Sequence, residues 1–242
     1  VAELTRRELV IALIPAGPQP RLAGLDLTEL DMSGLDLSGA NLRGARLCSS
    51  RLAGTRLAGA ILEEADLTGA ELAGADLSGA RMRAAVLSRA RMAGARLDGC
   101  DAQDALIDGI EARRSTWRGA VLRRARLDQS DLTGADLWEV DLQDAMLRGC
   151  RMGGAVLEGA KLTDADLTAA VLPGARLQHA QLDRAQLKDA DLTGADLRRA
   201  VLQRARLAGA SLRRAALSGA LLAQADLSSA DLTGATGLGG GR

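Results

Sequence analysis

The sequence has no phenylalanine and no tyrosine, and its only aromatic residues are Trp117 and Trp138. A globule of 242 residues ordinarily fills its interior with large side chains of mixed shape. This chain must instead have a narrow, regular interior. Lysine is nearly missing, since only Lys161 and Lys188 accompany the arginines in a basic total of 31. An acidic total of 31 balances it, which excludes the one-signed surface of a strongly basic nucleic-acid binder or a strongly acidic DNA mimic. No apolar run approaches the ~20 residues that span a bilayer. The first 30 residues show no small-residue cleavage site after an apolar core. A cytoplasmic location without membrane contact is expected. The chain begins at Val1 rather than Met, which reads as a processed protein or a segment of a longer one.

What is abundant is Leu, Ala and Gly, and their order is periodic. From Leu22 to Leu232 every fifth residue is an apolar centre without a change of frame, giving 43 units. Thirty-nine centres are Leu or Met, and the residue two before the centre is usually Ala. A period of five matches neither a strand nor a helix. On a straight α-helix successive centres would rotate by about 140° and scatter the leucines around the surface. Keeping Leu and Ala inward at every fifth step requires a turn in every unit.

Ala65-Asp66-Leu67, Ala75-Asp76-Leu77, Asp131-Leu132, Ala165-Asp166-Leu167, Ala190-Asp191-Leu192 and Asn41-Leu42 carry a unit that resembles that of the pentapeptide-repeat family, Ala-(Asp or Asn)-Leu followed by any two residues. The resemblance implies four units per coil, one on each side of a square. The expected fold is therefore all-β, a right-handed quadrilateral β-helix or solenoid of about 10.75 coils and about 50 Å length at the usual strand spacing. Segment 1–20 is expected to be an N-terminal helix and linker, 21–235 the repeat body, and 236–242 a Gly-rich tail.

Several local expectations follow. Thr5 and Glu8 have capping-box spacing, with Leu4 and Leu9 as a hydrophobic staple. Leu13 and Ile14 add apolar surface before Pro15, which should end a capping helix. Leu25, Leu30 and Leu35 replace Ala and enlarge the first layer. Gly stands two residues after the centre in 22 of the 43 units. The corner column Glu64, Ala84, Asp104, Arg124, Asp144, Asp164, Arg184, Arg204 and Gln224 lacks it altogether, and a turn without positive φ is expected there. Centres Ala102, Ile107, Ala112 and Trp117 depart from Leu and Met in one coil. Ile110 before Ala112 and Ser115 before Trp117 exchange volume, and a bulged corner is expected nearby.

Little of this presents chemistry. His179 falls alone at an outward corner. Cys100 and Cys150 occupy inward positions 2.5 coils apart, too distant to bridge, and Cys48 faces outward as a free thiol. The outward charges alternate along a side, as in Asp31, Arg51, Glu71, Arg91, and Asp36, Arg56, Asp76, Arg96, which reads as paired ladders. No cofactor, metal or catalytic residue is expected.

The interaction candidates are two arginine groups. One joins Arg113, Arg114, Arg118, Arg123, Arg124 and Arg126 to outward Trp138. The other comprises Arg198, Arg199, Arg204, Arg206, Arg213 and Arg214. Arg and Trp anchor protein interfaces, so a protein partner is expected and direct nucleic-acid contact is disfavoured. Leu222 and Leu232 mark an uncovered C-terminal edge suited to an end-to-end homodimer or to a neighbouring domain. The resemblance implies a bacterial, non-enzymatic scaffold similar to secretion-associated pentapeptide domains. Its alternative is an inhibitor or protector of DNA gyrase, similar to quinolone-resistance proteins. Those relatives have Phe at many centres, an acidic surface and a C-terminal helix, none of which stands in this sequence.

Overall fold

The computed structural model describes residues 5–16 and 20–238. Helix α1, Arg6–Ala16, comes first. Its capping box is closed in both directions: the Thr5 N–H donates to Glu8 Oε2 at 2.8 Å, and the Glu8 N–H donates to Thr5 Oγ1 at 3.3 Å. The Thr5 backbone bond holds the Glu8 carboxyl below its ordinary value, as does the Thr5 hydroxyl. Leu9 is fully buried. Leu4 and the side chains of Leu13 and Ile14 lie outside the described residues. Pro15 does not end the helix, which continues to Ala16. A proline ring fits helical φ, and its missing N–H removes only one bond in the last turn.

After α1 the chain repeats one conformation 43 times: a bridging residue, the inward centre, two turn residues and a second inward residue that is usually small. Each bridging residue pairs in parallel with the residue 20 positions on, beginning with Arg21 and Asn41 and ending with Ala216 and Thr236. Four turns therefore close each 20-residue coil, and successive coils stack in register. The all-β expectation is corrected. Among the described residues there is one α-helix and no β-strand or sheet, only isolated bridges. The physical reason lies in the repeat itself. Two of every five residues form a turn, so no run of consecutive bridging residues can develop, and the backbone is a turn-built coil.

Three of the five N–H groups in each unit are nevertheless bonded between coils within the stack and a fourth within the unit. The centre N–H and the second turn N–H donate to the next coil, as in Leu62 to Arg81 O at 2.7 Å and Glu64 to Arg83 O at 3.0 Å. The bridging N–H donates to the previous coil, as in Asp66 to Ala45 O at 3.0 Å. Within a unit, the inward residue's N–H reaches back to the centre, as in Ala65 to Leu62 O at 3.1 Å. With these bonds the peptide groups enter the interior without leaving orphaned donors. Aspartate at the bridging position adds a further bond, because Asp66 Oδ1 accepts the Thr68 N–H at 2.9 Å and Asp76 Oδ1 the Ser78 N–H at 3.0 Å. This Asx-type turn favours Asp or Asn just before the centre.

All 43 second turn residues have positive φ, including the glycine-free column, where Glu64 has φ 59, Ala84 54 and Arg124 55. The expected exemption of that corner is overturned. The inward residue must bond back across each turn, and positive φ at the third residue of the turn is the type II solution. Gly74 stands at φ +64 with open space around an added Cβ. Gly74→Val should therefore cost about 1–2 kcal/mol through the backbone alone, measurable as a lower urea midpoint.

The interior is a single column of centres and small residues, buried from Leu22 to Leu217. Polar members are satisfied locally: Ser50 Oγ donates to Leu47 O at 2.8 Å and Thr55 Oγ1 to Met32 O at 2.9 Å. No bulge interrupts the irregular coil. Bridges Asp101–Val121 and Thr116–Asp136 keep the 20-residue register, while Ile110 and Trp117 are both buried. One bond is rerouted instead. The Ile110 N–H donates to Ser130 Oγ at 3.2 Å, and Ser130 Oγ donates to Ile107 O at 3.0 Å. Trp117 Nε1 donates to Ser115 Oγ at 2.7 Å. The exchange of large and small residues thus preserves the stack.

Candidate surface along the fourth corner

Because the interior is filled, functional groups must stand on the sides, corners and ends. The four sides begin with bridging residues Arg21, Asp26, Asp31 and Asp36. Stacking at 20-residue intervals decides which sequence neighbours meet. The first arginine group is divided by it: Arg113 and Arg114 lie at the corner after the third side, Arg118 after the fourth, and Arg123 and Arg124 after the first. The second group divides in the same way, with Arg213 and Arg214, then Arg198 and Arg199, then Arg204. Neither group forms one patch.

Most of these arginines already hold a carboxylate. Arg113 pairs with Asp131 at 2.8 Å, Arg118 with Asp136 at 2.6 Å, Arg123 with Asp141 at 2.8 Å and Arg124 with Asp104 at 2.7 Å. Arg198 pairs with Asp196 at 2.6 Å and Arg213 with Asp231 at 3.4 Å. Arg204 Nε donates to Gln224 Oε1 at 2.9 Å. Among the described residues Arg114, Arg199 and Arg214 have no ion pair. The ladders along the sides also form, with Arg51–Asp31 at 3.2 Å, Arg56–Asp36 at 2.9 Å and Arg91–Glu71 at 3.2 Å. The sequence pattern did not reveal the diagonal pairs, such as Arg118–Asp136 and Arg148–Asp166. Their signal was an arginine after a centre and an aspartate 18 residues later.

The stack does unite Trp138 with Arg118. Both follow the fourth side, one coil apart. Together with Asp136, Val156, Glu158 and Arg176 they line a shallow groove of about 330 Å³. Glu158 and Arg176 pair at 3.2 Å and continue into a neighbouring groove of about 510 Å³ that includes His179, Arg198 and Arg199. Trp138 is 43% exposed, whereas the paired charges around it leave the local surface near neutrality. This corner combines a fixed apolar ring with arginines whose heads are already oriented by carboxylates. Arg113 opens onto a different groove with Gln129 and Arg151. Sequence reasoning missed another apolar stripe: Leu106 and Met146 are exposed on the second side, above and below Arg126. Reading every twentieth residue would have found it.

The thiols do not form a reactive group. Cys48, Cys100 and Cys150 are free. Burial, together with the Asp66 contact, pushes the Cys48 thiol up to about 11, and burial raises Cys150 to about 12. His179 stands exposed at its corner. Among the described residues no group of His, Cys, Asp and Glu could hold a metal ion. No described helix is long and apolar enough to cross a membrane. Leu222 and Leu232 are half-buried against the end of the core, and Gly239, Gly240 and Gly241 lie outside the described residues.

The family described as pentapeptide repeats matches overlapping segments that cover residues 21–101 and 112–236, passing over part of the irregular coil. HetL from the cyanobacterium Nostoc sp. strain PCC 7120, a pentapeptide repeat protein involved in heterocyst differentiation regulation, is 32% identical over 96% of this chain and 97% of its own, with a TM-score of 0.42. A trypsin-treated variant of QnrB1, a plasmid-mediated fluoroquinolone resistance protein, is 18% identical over 90% of this chain and 89% of its own, with a TM-score of 0.50. AT2G44920, a pentapeptide repeat protein from the Arabidopsis thaliana thylakoid lumen, is 28% identical over 54% of this chain and 72% of its own, with a TM-score of 0.29. No curated protein matches. The repeat, its register and the match along nearly the whole stack lead to one conclusion: the chain belongs to the pentapeptide-repeat family.

Proposed function

We propose that this protein is a rigid scaffold that binds a protein partner along the fourth corner. The observation that carries the reading is Trp138, 43% exposed on a stack whose every turn is fixed by backbone bonds. Such a ring loses little conformational freedom on binding, and Trp and Arg are the side chains that most often anchor interfaces. The ion pairs hold Arg118 and Arg176 beside it, ready to donate to a partner. HetL, a family member 32% identical to this chain, is involved in heterocyst differentiation regulation, a role in keeping with a binding scaffold. A cytoplasmic location belongs to the same proposal and is consistent with three free cysteines.

Trp138→Ala is expected to weaken binding to the partner captured by the wild-type chain by about 2 kcal/mol, or roughly 30-fold. Its unfolding midpoint should stay unchanged. Titration by calorimetry, alongside urea unfolding, separates the two effects. Undiminished affinity in Trp138→Ala and Arg118→Ala would remove this corner from the interface.

DNA gyrase is the second reading, suggested by the resemblance to quinolone-resistance proteins; this chain shares the fold of the fluoroquinolone resistance protein QnrB1. The charge pattern favours it less. The third side alternates Asp31, Arg51, Glu71 and Arg91, whereas a copy of DNA needs regularly spaced charges of one sign. A supercoiling assay with purified gyrase decides the matter, and neither inhibition nor protection from a quinolone is expected.

A further inference from the structure

We propose that the larger groove of the fourth corner is a phosphate-binding subsite that takes a phosphorylated side chain of the partner docking at Trp138; the source of the phosphate rests on the scaffold reading. The surface grooves differ in charge. The Trp138 groove sets Arg118 and Arg176 against Asp136 and Glu158, and the Arg113 groove sets Arg113 and Arg151 against Glu111 and Asp131. Both are balanced. The groove of about 510 Å³ sets Arg176, Arg198 and Arg199 against Glu158 alone, with His179 and Ser218 beside them.

The surplus falls on Arg199, because the nearby carboxylates are taken. Asp196 Oδ1 accepts Arg198 Nε at 2.8 Å and the Arg198 backbone N–H at 3.2 Å, while its Oδ2 accepts Arg198 Nη2 at 2.6 Å and Gln178 Nε2 at 2.7 Å. Glu158 is held by Arg176 at 3.2 Å. One coil on, the corner continues through Ser218 and Gly219, and the flanking side residues Ala216 and Leu221 carry no charge. The backbone of Arg199 is nonetheless fixed, with φ 59 and its N–H donating to Ser218 O at 3.0 Å. Its stem runs over Gly219, whose added Cβ would lie 3.4 Å from Arg199 Cγ.

Forked donors in surplus on adjacent residues suit an anion with several oxygens. A phosphate monoester offers enough for the Arg199 fork, the remaining Arg198 nitrogen and the Ser218 hydroxyl together, whereas a carboxylate is used up by one fork. A nucleic-acid backbone would continue onto the balanced groove and bring its next phosphates against Glu158 and Asp136. A single phosphate on a protein segment avoids them. Trp138 and Arg198 are equivalent turn residues three coils apart by the 20-residue register, about 14 Å, which about four residues of extended chain span. Arg176 and Glu158 line both grooves, so one segment can reach from the indole to Arg199.

His179 is the only histidine and lines this groove, so its ring protons give an isolated NMR signal. At constant pH and ionic strength, inorganic phosphate added to the full chain is expected to move that signal along a saturating curve, and chloride is not. A short peptide carrying leucine and, about four positions on, phosphoserine should bind about tenfold or more tighter than its unphosphorylated form. Arg199→Ala should weaken both responses about tenfold or more, whereas Arg214→Ala, at another corner, should leave them unchanged. Ala169 already holds φ 56 at the equivalent turn position, and Arg199→Gln reads the same loss should Arg199→Ala shift the urea midpoint. A phosphate response that does not saturate, or that survives both Arg199 variants, would overturn the subsite. A phosphopeptide no tighter than its unphosphorylated form would overturn the protein-borne source. Trp138→Ala reads the scaffold proposal separately: undiminished phosphopeptide affinity in that variant removes Trp138 docking, and the partner source with it, while the Arg199-dependent phosphate response still supports the subsite.

Discussion

Trp117→Ala is expected to lower stability by about 3–5 kcal/mol, the usual cost of removing a large buried aromatic ring. Trp117 is the largest fully buried side chain, and it stands in a coil with little spare volume to redistribute. Its neighbour at the preceding centre is Ala112, and the inward residue before it is Ser115, so small residues beside it are fitted to the ring. Its removal also leaves Ser115 Oγ without the indole donor at 2.7 Å. A filled layer transmits stacking from the coils before it to those after it, and stability in a repeat array depends on such nearest-neighbour contacts. Urea unfolding followed by circular dichroism measures the loss, and a change below about 1 kcal/mol would show that the layer closes over the gap. The smaller retreat Trp117→Leu, which restores the usual centre residue, should recover part of it.

Acid should weaken the whole stack at once. Arg56's hydrogen bond, then those of Ser38, hold the Asp36 carboxyl down to about 2. Asp76 is lowered first by Ser78 and Asp231 by Thr233. At Asp66 and Asp166 burial opposes ionisation most strongly, yet Thr68 and Thr168 with the other donors prevail and the carboxyls remain lowered. A carboxylate whose folded value lies below its unfolded one stabilises the fold at pH above the unfolded value. That contribution is lost as pH falls through the folded value. The expected result is a melting temperature that is flat from about pH 5 to 8 and falls steeply from about pH 4 toward 2. Thermal melts across this range check it. High salt should remove less of the effect than acid, because the Asx bonds to backbone N–H groups are short-range whereas the exposed ion pairs are screened. A melting temperature that holds to pH 2 would mean the carboxylates are spectators.

The repeat was legible because its period is covalent: a Leu every fifth residue marks the inward direction whatever the backbone does. The expected strands were not there to be found. The same sequence signal that fixes Leu67 and Leu72 inward also places a turn between them, and the turn uses up the residues a strand would need. The glycine-free corner misled for a related reason. Arg124 and Asp104 adopt positive φ like Gly74, since the bond across each turn and the bonds to the next coil outweigh a local cost of about 1–2 kcal/mol per residue. Residue preference is a weak vote when three backbone bonds depend on the alternative.

The candidate surface was legible only in part. Trp138 announced itself as an exposed aromatic in a chain with almost none. Its partners did not, because the arginines that precede it in sequence separate around the coil, and Val156, Glu158 and Arg176 come from later coils. The bonds from Arg6 to the Asp31 and Ser33 carbonyls were still harder to see, for they join residues 25 and 27 positions apart that no side-chain pattern relates.

The sequence by itself determined the interior, the frame of 43 units and the pairing of alternating charges along the third and fourth sides, because each of these repeats at a fixed spacing. The tertiary structure decided the rest: the turn-built backbone without strands, the positive φ at every corner, the division of both arginine groups and the bonds of Arg6 to the first coil. Those features depend on what a coil meets 20 residues away, where hydrogen bonds and packing between coils override the preferences of any single unit.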